Sequence, residues 1–126
     1  FGIVKKGENY GWKILGWGGT NYTGTKIGAK WKLGFTKAIK YWVPSIAASS
    51  MIIYKGKEFQ EWNGNALIAS LKDQSLRKIK FKDNNLLKED IIFKDVIGRI
   101  RDIEVEKKTG EIFLLTDQGS VWRLYK

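Results

Sequence analysis

Histidine and cysteine are both absent from this chain of 126 residues. Without histidine, the chain lacks the side chain that most often acts as a general base near neutral pH and most often binds metals. Without cysteine, it can form neither a disulfide framework nor a thiolate metal site. No apolar run approaches the ~20 residues that a membrane helix needs, and the first residues show no signal peptide. We therefore expect no membrane association and no chemistry that depends on a histidine of this chain.

Positive charge dominates: 23 lysines and arginines stand against 13 acidic residues, which gives a formal net charge of +10. Arginines occur only at positions 77, 99, 101 and 123, and the lysines are scattered along the whole chain. Stretches such as 76–82 alternate in a way typical of a strand with one solvated face. This distribution favours a lysine-rich surface, and we predict no nucleic-acid partner. The alternative, a basic nucleic-acid-binding β-domain, predicts binding that weakens steeply with salt.

Short apolar or alternating segments, separated by polar turns, predict an all-β fold. Residues 1–32 are rich in glycine and aromatics and predict loops with short strands. The strands are predicted at 51–54, 66–71, 75–82, 86–93, 100–106, 112–116 and 121–125. The first four have about the length of one propeller blade, whereas the last three leave a blade incomplete. An open β-sandwich of the same strands is the alternative.

Three cationic side chains stand at the ends of predicted apolar strands. Lys72 ends the strand 66–71, and Arg99 and Arg101 occupy alternate positions at the start of the strand 100–106. Alternate residues of a strand point to the same face. Guanidinium groups bind carboxylates through two parallel hydrogen bonds, so such a set suits a planar anion with several carboxylates. The alternative is a surface lysine and two arginines paired with nearby acidic residues, namely Asp95, Asp102 and Glu104.

Several motifs then follow one another in a fixed order. They are G-E-N-Y-G-W at 7–12, W-G-G-T-N-Y-T-G at 17–24, W-x-P-S-I-A-x-S-x-M-x-x-Y at 42–54, F-x-E-W-x-G ending in L-K at 59–72, R-I-R-D at 99–102 and L-L-T-D at 114–117. Together they resemble the C-terminal part of the soluble quinoprotein sugar dehydrogenases, the glucose/sorbosone dehydrogenase family that uses pyrroloquinoline quinone (PQQ). The resemblance implies the last blades of a six-bladed β-propeller. We interpret 1–126 as one propeller fragment, with a partial blade and loops at 1–50, a complete blade at 51–97 and an incomplete last blade at 98–126.

The resemblance also implies a set of cofactor contacts. The lysine that ends the L-K strand and the arginines of R-x-R-D contact PQQ in the family, and these positions are Lys72, Arg99 and Arg101 here. We expect Asp102 to orient one guanidinium. Ser45 matches a hydroxyl position near the cofactor, and Tyr22 and Trp42 are expected to form walls of the pocket.

A calcium site is implied only in part. Tyr10 matches a tyrosine that helps to bind calcium in the family. Its carboxylate partner would precede Phe1, and the asparagine expected near Gly2 is absent. We therefore expect an incomplete calcium site in this chain.

The implied function is that of a PQQ-dependent sugar dehydrogenase that oxidises aldoses to lactones. This chain would supply cofactor-binding residues, whereas the catalytic histidine of the family lies on an earlier blade, so the chain alone is expected to be inactive. The resemblance implies a periplasmic or secreted protein, with which the lack of thiols is compatible. Unpaired blade edges predict self-association of the isolated chain. A non-catalytic propeller that binds a partner is the alternative, because fold does not determine function.

Overall fold

The computed structural model describes residues 1–12 and 14–126, and within them the regular structure is almost entirely β-strand. The strands are β1 (Ala48–Ile53), β2 (Ala66–Ser70), β3 (Ser75–Lys82), β4 (Asn85–Lys94), β5 (Ile100–Val105), β6 (Ile112–Thr116) and β7 (Val121–Leu124). One turn of 3-10 helix, Gln60–Trp62, interrupts the loop between β1 and β2. None of the described residues forms a helix long and apolar enough to cross a bilayer.

The strands form two sheets in which each strand pairs with the next along the chain. Strands β1 to β4 make a four-stranded sheet in sequence order, and β5 to β7 make a three-stranded one. The registers of β1–β2, β2–β3, β5–β6 and β6–β7 are antiparallel. Such meanders need only short turns between neighbours, for example the one at Asp83 and Asn84 between β3 and β4. The predicted counts of four strands and then three agree with this arrangement.

One hydrophobic core joins the two sheets. Strand β2 is buried along its whole length, and β1 and β2 both pack against β5. The core cluster consists of Tyr54, Phe59, Leu67, Ala69, Leu76, Ile97, Ile100, Ile103, Ile112 and Leu114. The Tyr54 hydroxyl donates to the carbonyl of Gly110 at 2.7 Å and accepts from the N–H of Phe59 at 3.1 Å. It thus links the end of β1 to the turn before β6.

Strands β1 and β5 each contain a β-bulge near their first residue. In β1, Ala48 pairs with Ser70 and Ser50 pairs with Ala69, so Ser49 has no residue opposite it. In β5 the pairing jumps in the same way from Ile100 to Asp102, and the extra residue is Arg101. Bulges bend a strand and change the direction of side chains, and they are frequent beside functional sites.

Residues Phe1–Ser45, with the turn Asp83–Asn85, form a separate compact unit. As predicted, loops dominate its N-terminal part, with isolated bridges from Leu15 to Ala29 and from Thr20 to Lys26. A pocket of about 430 Å³ lies within this unit and is lined by Trp17, Lys30, Trp31, Lys37, Ala38 and Tyr41. The rings of Trp17 and Tyr41 stack with their centroids 4.7 Å apart. The remaining residues, Ile46–Lys82 and Leu86–Lys126, contain both sheets.

Candidate anion-binding site

The two arginines at the start of β5 meet at one carboxylate, that of Asp117. Arg99 Nε donates to Asp117 Oδ2 at 2.7 Å. Arg101 donates from Nε to Oδ1 and from Nη2 to Oδ2, the latter at 3.3 Å. The backbone adds a further link, because the N–H of Asp117 donates to the carbonyl of Arg99 at 3.0 Å. Both guanidinium side chains remain about half exposed, so they form a cationic pair that solvent and solutes can reach.

The bulge in β5 decides which way these side chains point. Simple alternation puts residues 100 and 102 on one face, but Asp102 is exposed whereas Ile100 and Ile103 are both buried. The extra residue therefore allows Ile100 and Ile103 to enter the core although they are three positions apart. Arg101 is left on the exposed side, where it reaches the same carboxylate as Arg99.

Asp102 was expected to orient a guanidinium, but its carboxylate contacts neither Arg99 nor Arg101 through the hydrogen bonds of this site. The Oδ1 atom of Asp102 instead accepts from the Ser50 hydroxyl at 2.8 Å and from the N–H of Ile103 at 2.9 Å. Within the described residues, the ion pairs of both arginines go to Asp117. Asp117 belongs to the L-L-T-D motif at the end of β6, which the sequence analysis had noted. Its ion pairs with Arg99 and Arg101 across the β5–β6 hairpin could not be predicted from that motif.

Asp117 holds the two arginines in place but leaves several of their N–H donors available. A guanidinium carries five N–H groups, and Asp117 takes one from Arg99 and two from Arg101. Hydrogen bonds and charge attraction, first from Arg101 and then from Arg99, hold the pKa of the Asp117 carboxyl below its ordinary value. The carboxylate is therefore ionised at neutral pH, and the three groups together keep one net positive charge. The remaining N–H groups can bind a carboxylate ligand through charge-assisted hydrogen bonds.

Lys72 lies at the same end of the two sheets. Its N–H donates to the carbonyl of Ile46 at 3.0 Å, just before β1 begins. The first residues of β1 are in turn next to the first residues of β5, because the Ser49 hydroxyl donates to the carbonyl of Ile100 at 2.6 Å. The Lys72 side chain is exposed. The fold thus places the backbone of the L-K motif and that of the R-x-R motif at the same end of the two sheets.

Comparison with known proteins identifies the family of this chain. The model of the Glucose / Sorbosone dehydrogenase family matches residues 1–125. The chain belongs to this family.

Three relatives illustrate the likeness. The aldose sugar dehydrogenase YliI of Escherichia coli (strain K12) is 34% identical over 121 residues, which are 94% of this chain and 32% of the relative. The crystal structure of the soluble aldose sugar dehydrogenase from Escherichia coli in its apo form has a TM-score of 0.81 and 33% identity, over 98% of this chain and 36% of that one. A glucose dehydrogenase crystal structure has a TM-score of 0.84 and 28% identity, with the same coverage.

These comparisons confirm the predicted fold: the two sheets are blades of the β-propeller of the glucose/sorbosone dehydrogenase family. The chain spans about a third of the length of the relatives that it matches. Its residues can therefore form only part of any site that the whole propeller contains.

Beside Lys72, this member of the family has a network of largely buried charges that sequence reasoning missed. The carboxylate of Asp73 accepts from the hydroxyls of Ser70 and Ser75 and from Arg77 Nη2. Arg77 also donates from Nη1 to Glu89 Oε1 at 2.6 Å, and only 9% of Arg77 is exposed. Desolvation by burial would raise the pKa of Asp73, but the hydrogen bonds from Ser70, Arg77 and Ser75 outweigh it and the pKa is lowered. The network holds the β2–β3 turn that carries Lys72.

The other residues expected at the site lie in the N-terminal unit. The Tyr22 side chain is fully exposed, and Trp42 is half-buried with Lys40 Nζ 5.9 Å from its ring centroid. The Tyr10 hydroxyl accepts from the N–H of Lys5 at 2.7 Å and donates to the carbonyl of Ile3 at 2.9 Å. Ser45 is exposed. The roles of these four residues at a cofactor or calcium site stay predictions.

Proposed function

We propose that this chain forms the cofactor-anchoring part of a PQQ-dependent sugar dehydrogenase that oxidises aldoses to lactones. The observation that carries the proposal is the convergence of Arg99 and Arg101 on Asp117, at the end of the two sheets where Lys72 follows β2. Membership of the glucose/sorbosone dehydrogenase family supports it. A location in the periplasm or outside the cell is part of the same proposal.

The donor set fits the cofactor. PQQ carries three carboxylates and an ortho-quinone, and when bound it supplies the acceptor for the two electrons that leave the sugar. Arg99 and Arg101 would bind carboxylates with the N–H groups that Asp117 leaves available. Lys72 is a compact point charge, which suits an oxygen of the quinone and would increase its electron demand.

Asp117 contributes by holding the two guanidiniums in place before any ligand arrives. Ordering a long side chain costs up to about 1.5–2 kcal/mol of rotamer entropy. Because Asp117 already orders both arginines, less of this cost remains to be met when the anion binds.

The chain does not supply the group that takes the proton of the sugar hydroxyl. It contains no histidine, and we place that group on another part of the propeller. Calcium, with Tyr10 as one contact, belongs to the proposal on the strength of the family resemblance alone. An aldose is the proposed substrate.

The test is PQQ binding to the full-length protein that contains this chain. Arg99→Met, Arg101→Met and Lys72→Met each remove one charge but keep most of the side-chain volume. Because hydrogen bonds to charged groups contribute about 1.5–3 kcal/mol, each variant should bind PQQ about 10- to 100-fold more weakly in a fluorescence titration.

Arg123→Met is the matched control, because Arg123, in β7, lies over the ring of Tyr125 and has no part in the arginine pair. It should bind PQQ like the wild type. Unchanged affinity in all three site variants would contradict the proposal and favour a non-catalytic propeller that binds another partner. Circular dichroism of each variant separates loss of binding from loss of fold.

A further inference from the structure

Side chains from β1 fix both flanks of Arg101. The Ser49 hydroxyl donates to the carbonyl of Ile100 at 2.6 Å, one residue before Arg101. The Ser50 hydroxyl donates to Asp102 Oδ1 at 2.8 Å, one residue after it. We call these two hydrogen bonds the serine staple. They cross from the four-stranded sheet to the three-stranded one.

The staple acts at the bulge, where pairing between β5 and β6 is interrupted. As the extra residue of a bulge, Arg101 has no residue opposite it in β6, because a bulge sets two residues of one strand against one residue of its partner. Pairing with β6 therefore fixes only the neighbouring residues Ile100 and Asp102. The staple binds those two neighbours from the other side. The direction in which Arg101 leaves the strand therefore depends on β6 and on the two serines together.

Asp102 takes part in the staple as an acceptor, not as a charge. Both of its hydrogen bonds come from neutral donors, the Ser50 hydroxyl and the N–H of Ile103. An asparagine could accept both through its own Oδ1 atom, whereas a leucine could accept neither.

We propose that Ser49, Ser50 and Asp102 are positioning residues that direct Arg101 toward the anion-binding site. The inference rests on the proposed function, since the ligand it concerns is PQQ. It adds that hydrogen bonds from the four-stranded sheet hold Arg101 in its direction. A binding side chain keeps its geometry only when packed and hydrogen-bonded neighbours support it.

The first experiment measures PQQ affinity in the full-length protein. Ser50→Ala and Asp102→Leu should each weaken binding by about three- to tenfold, less than the loss of the arginine charge itself. Asp102→Asn and Ser50→Thr should bind nearly like the wild type, because each keeps the hydrogen-bonding atom. Ser120→Ala, in the turn between β6 and β7, is the control and should have no effect.

A double-mutant cycle separates positioning from general destabilisation. If the staple acts through Arg101, Ser50→Ala and Asp102→Leu cost affinity in the wild type and nothing further in the Arg101→Met background. Equal losses in both backgrounds would overturn the inference. Loss of affinity in Asp102→Asn would overturn the acceptor role. Unchanged affinity in Arg101→Met itself would instead refute the proposed function.

A second measurement does not involve the cofactor. The hydrogen bond to Asp117 should slow the solvent exchange of the Nε–H proton of Arg101, which NMR of the full-length protein can follow. In Ser50→Ala this exchange should become faster, while that of Arg99 stays unchanged. Unchanged exchange at Arg101 in both Ser50→Ala and Asp102→Leu would show that the staple does not position it.

Discussion

Removal of a single hydroxyl from the core, in Tyr54→Phe, should destabilise the chain markedly. Tyr54 is completely buried, and its hydroxyl makes two hydrogen bonds, to the carbonyl of Gly110 and from the N–H of Phe59. Gly110 and Phe59 are buried too. The substitution leaves one acceptor and one donor without a partner in a place that water does not reach.

The magnitude follows from those two groups. A buried polar group that loses its partner costs about 1–3 kcal/mol, so two of them predict a loss of about 2–6 kcal/mol in the free energy of unfolding. The ring itself stays, and with it the edge-to-face contacts to Phe59 and Trp62, whose centroids lie 6.1 and 6.2 Å away. The hydrophobic contribution of residue 54 should therefore be unchanged.

Urea unfolding followed by tryptophan fluorescence measures the difference, with the slope m as a check that the same surface is exposed. Tyr22→Phe is the matched control, since the Tyr22 side chain is fully exposed, and should change stability by less than about 0.5 kcal/mol. If Tyr54→Phe also stays within about 0.5 kcal/mol of the wild type at an unchanged m, the two hydrogen bonds do not support the core as described.

Four further outcomes are expected. Arg77→Met removes the guanidinium that pairs with two largely buried carboxylates, those of Asp73 and Glu89, and should cost about 3–5 kcal/mol in urea unfolding, a claim that a loss below about 1 kcal/mol would refute. The pKa values of Asp73 and Asp117 are lowered in the fold, so their stabilisation is complete above about pH 4 and is lost as the pH falls toward the folded pKa values. Acid titration by circular dichroism should show less loss between pH 4 and 2 for Asp73→Asn than for the wild type. The 126-residue chain alone should show no aldose-dependent dye reduction with PQQ and calcium. In sedimentation at micromolar concentration the same chain should self-associate through the exposed edge strand β7, Val121–Leu124, because the unpaired backbone groups of an edge strand can pair with another chain.

The pattern of alternating residues was enough to predict the sheets. The boundaries of β3 and β6 agree with the predicted 75–82 and 112–116 to the residue. Strand β1 begins three residues before the predicted 51–54, because its first residues are small or polar and carry no hydrophobic signal. The turn of helix Gln60–Trp62, between the predicted strands 51–54 and 66–71, was missed for a related reason, since three residues are too few to show a helical period.

Pairing between distant residues could not be predicted in the same way. Asp102, the acidic residue next to the arginines in sequence, was expected to orient one of them. The bulge and the hairpin bring Asp117 into contact with both instead. Alternation places Arg77 on the same face of β3 as Ile79 and Phe81, but it does not show which groups would pair with a buried guanidinium. Of its two carboxylate partners, Asp73 lies four residues earlier in the chain, whereas Glu89 comes close only when β4 is folded beside β3.

The bulge at Arg101 also bears on how such a site can arise or disappear. Without residue 101, the sequence of β5 would alternate regularly, with Ile100 and Ile103 toward the core and Asp102 between them pointing outward. The ladder to β6 already passes directly from Ile100 to Asp102. The hydrophobic alternation of β5 thus does not require Arg101. A lineage of such propellers can therefore gain or lose this arginine by a single in-frame insertion or deletion, while the hydrophobic pattern of the blade stays intact.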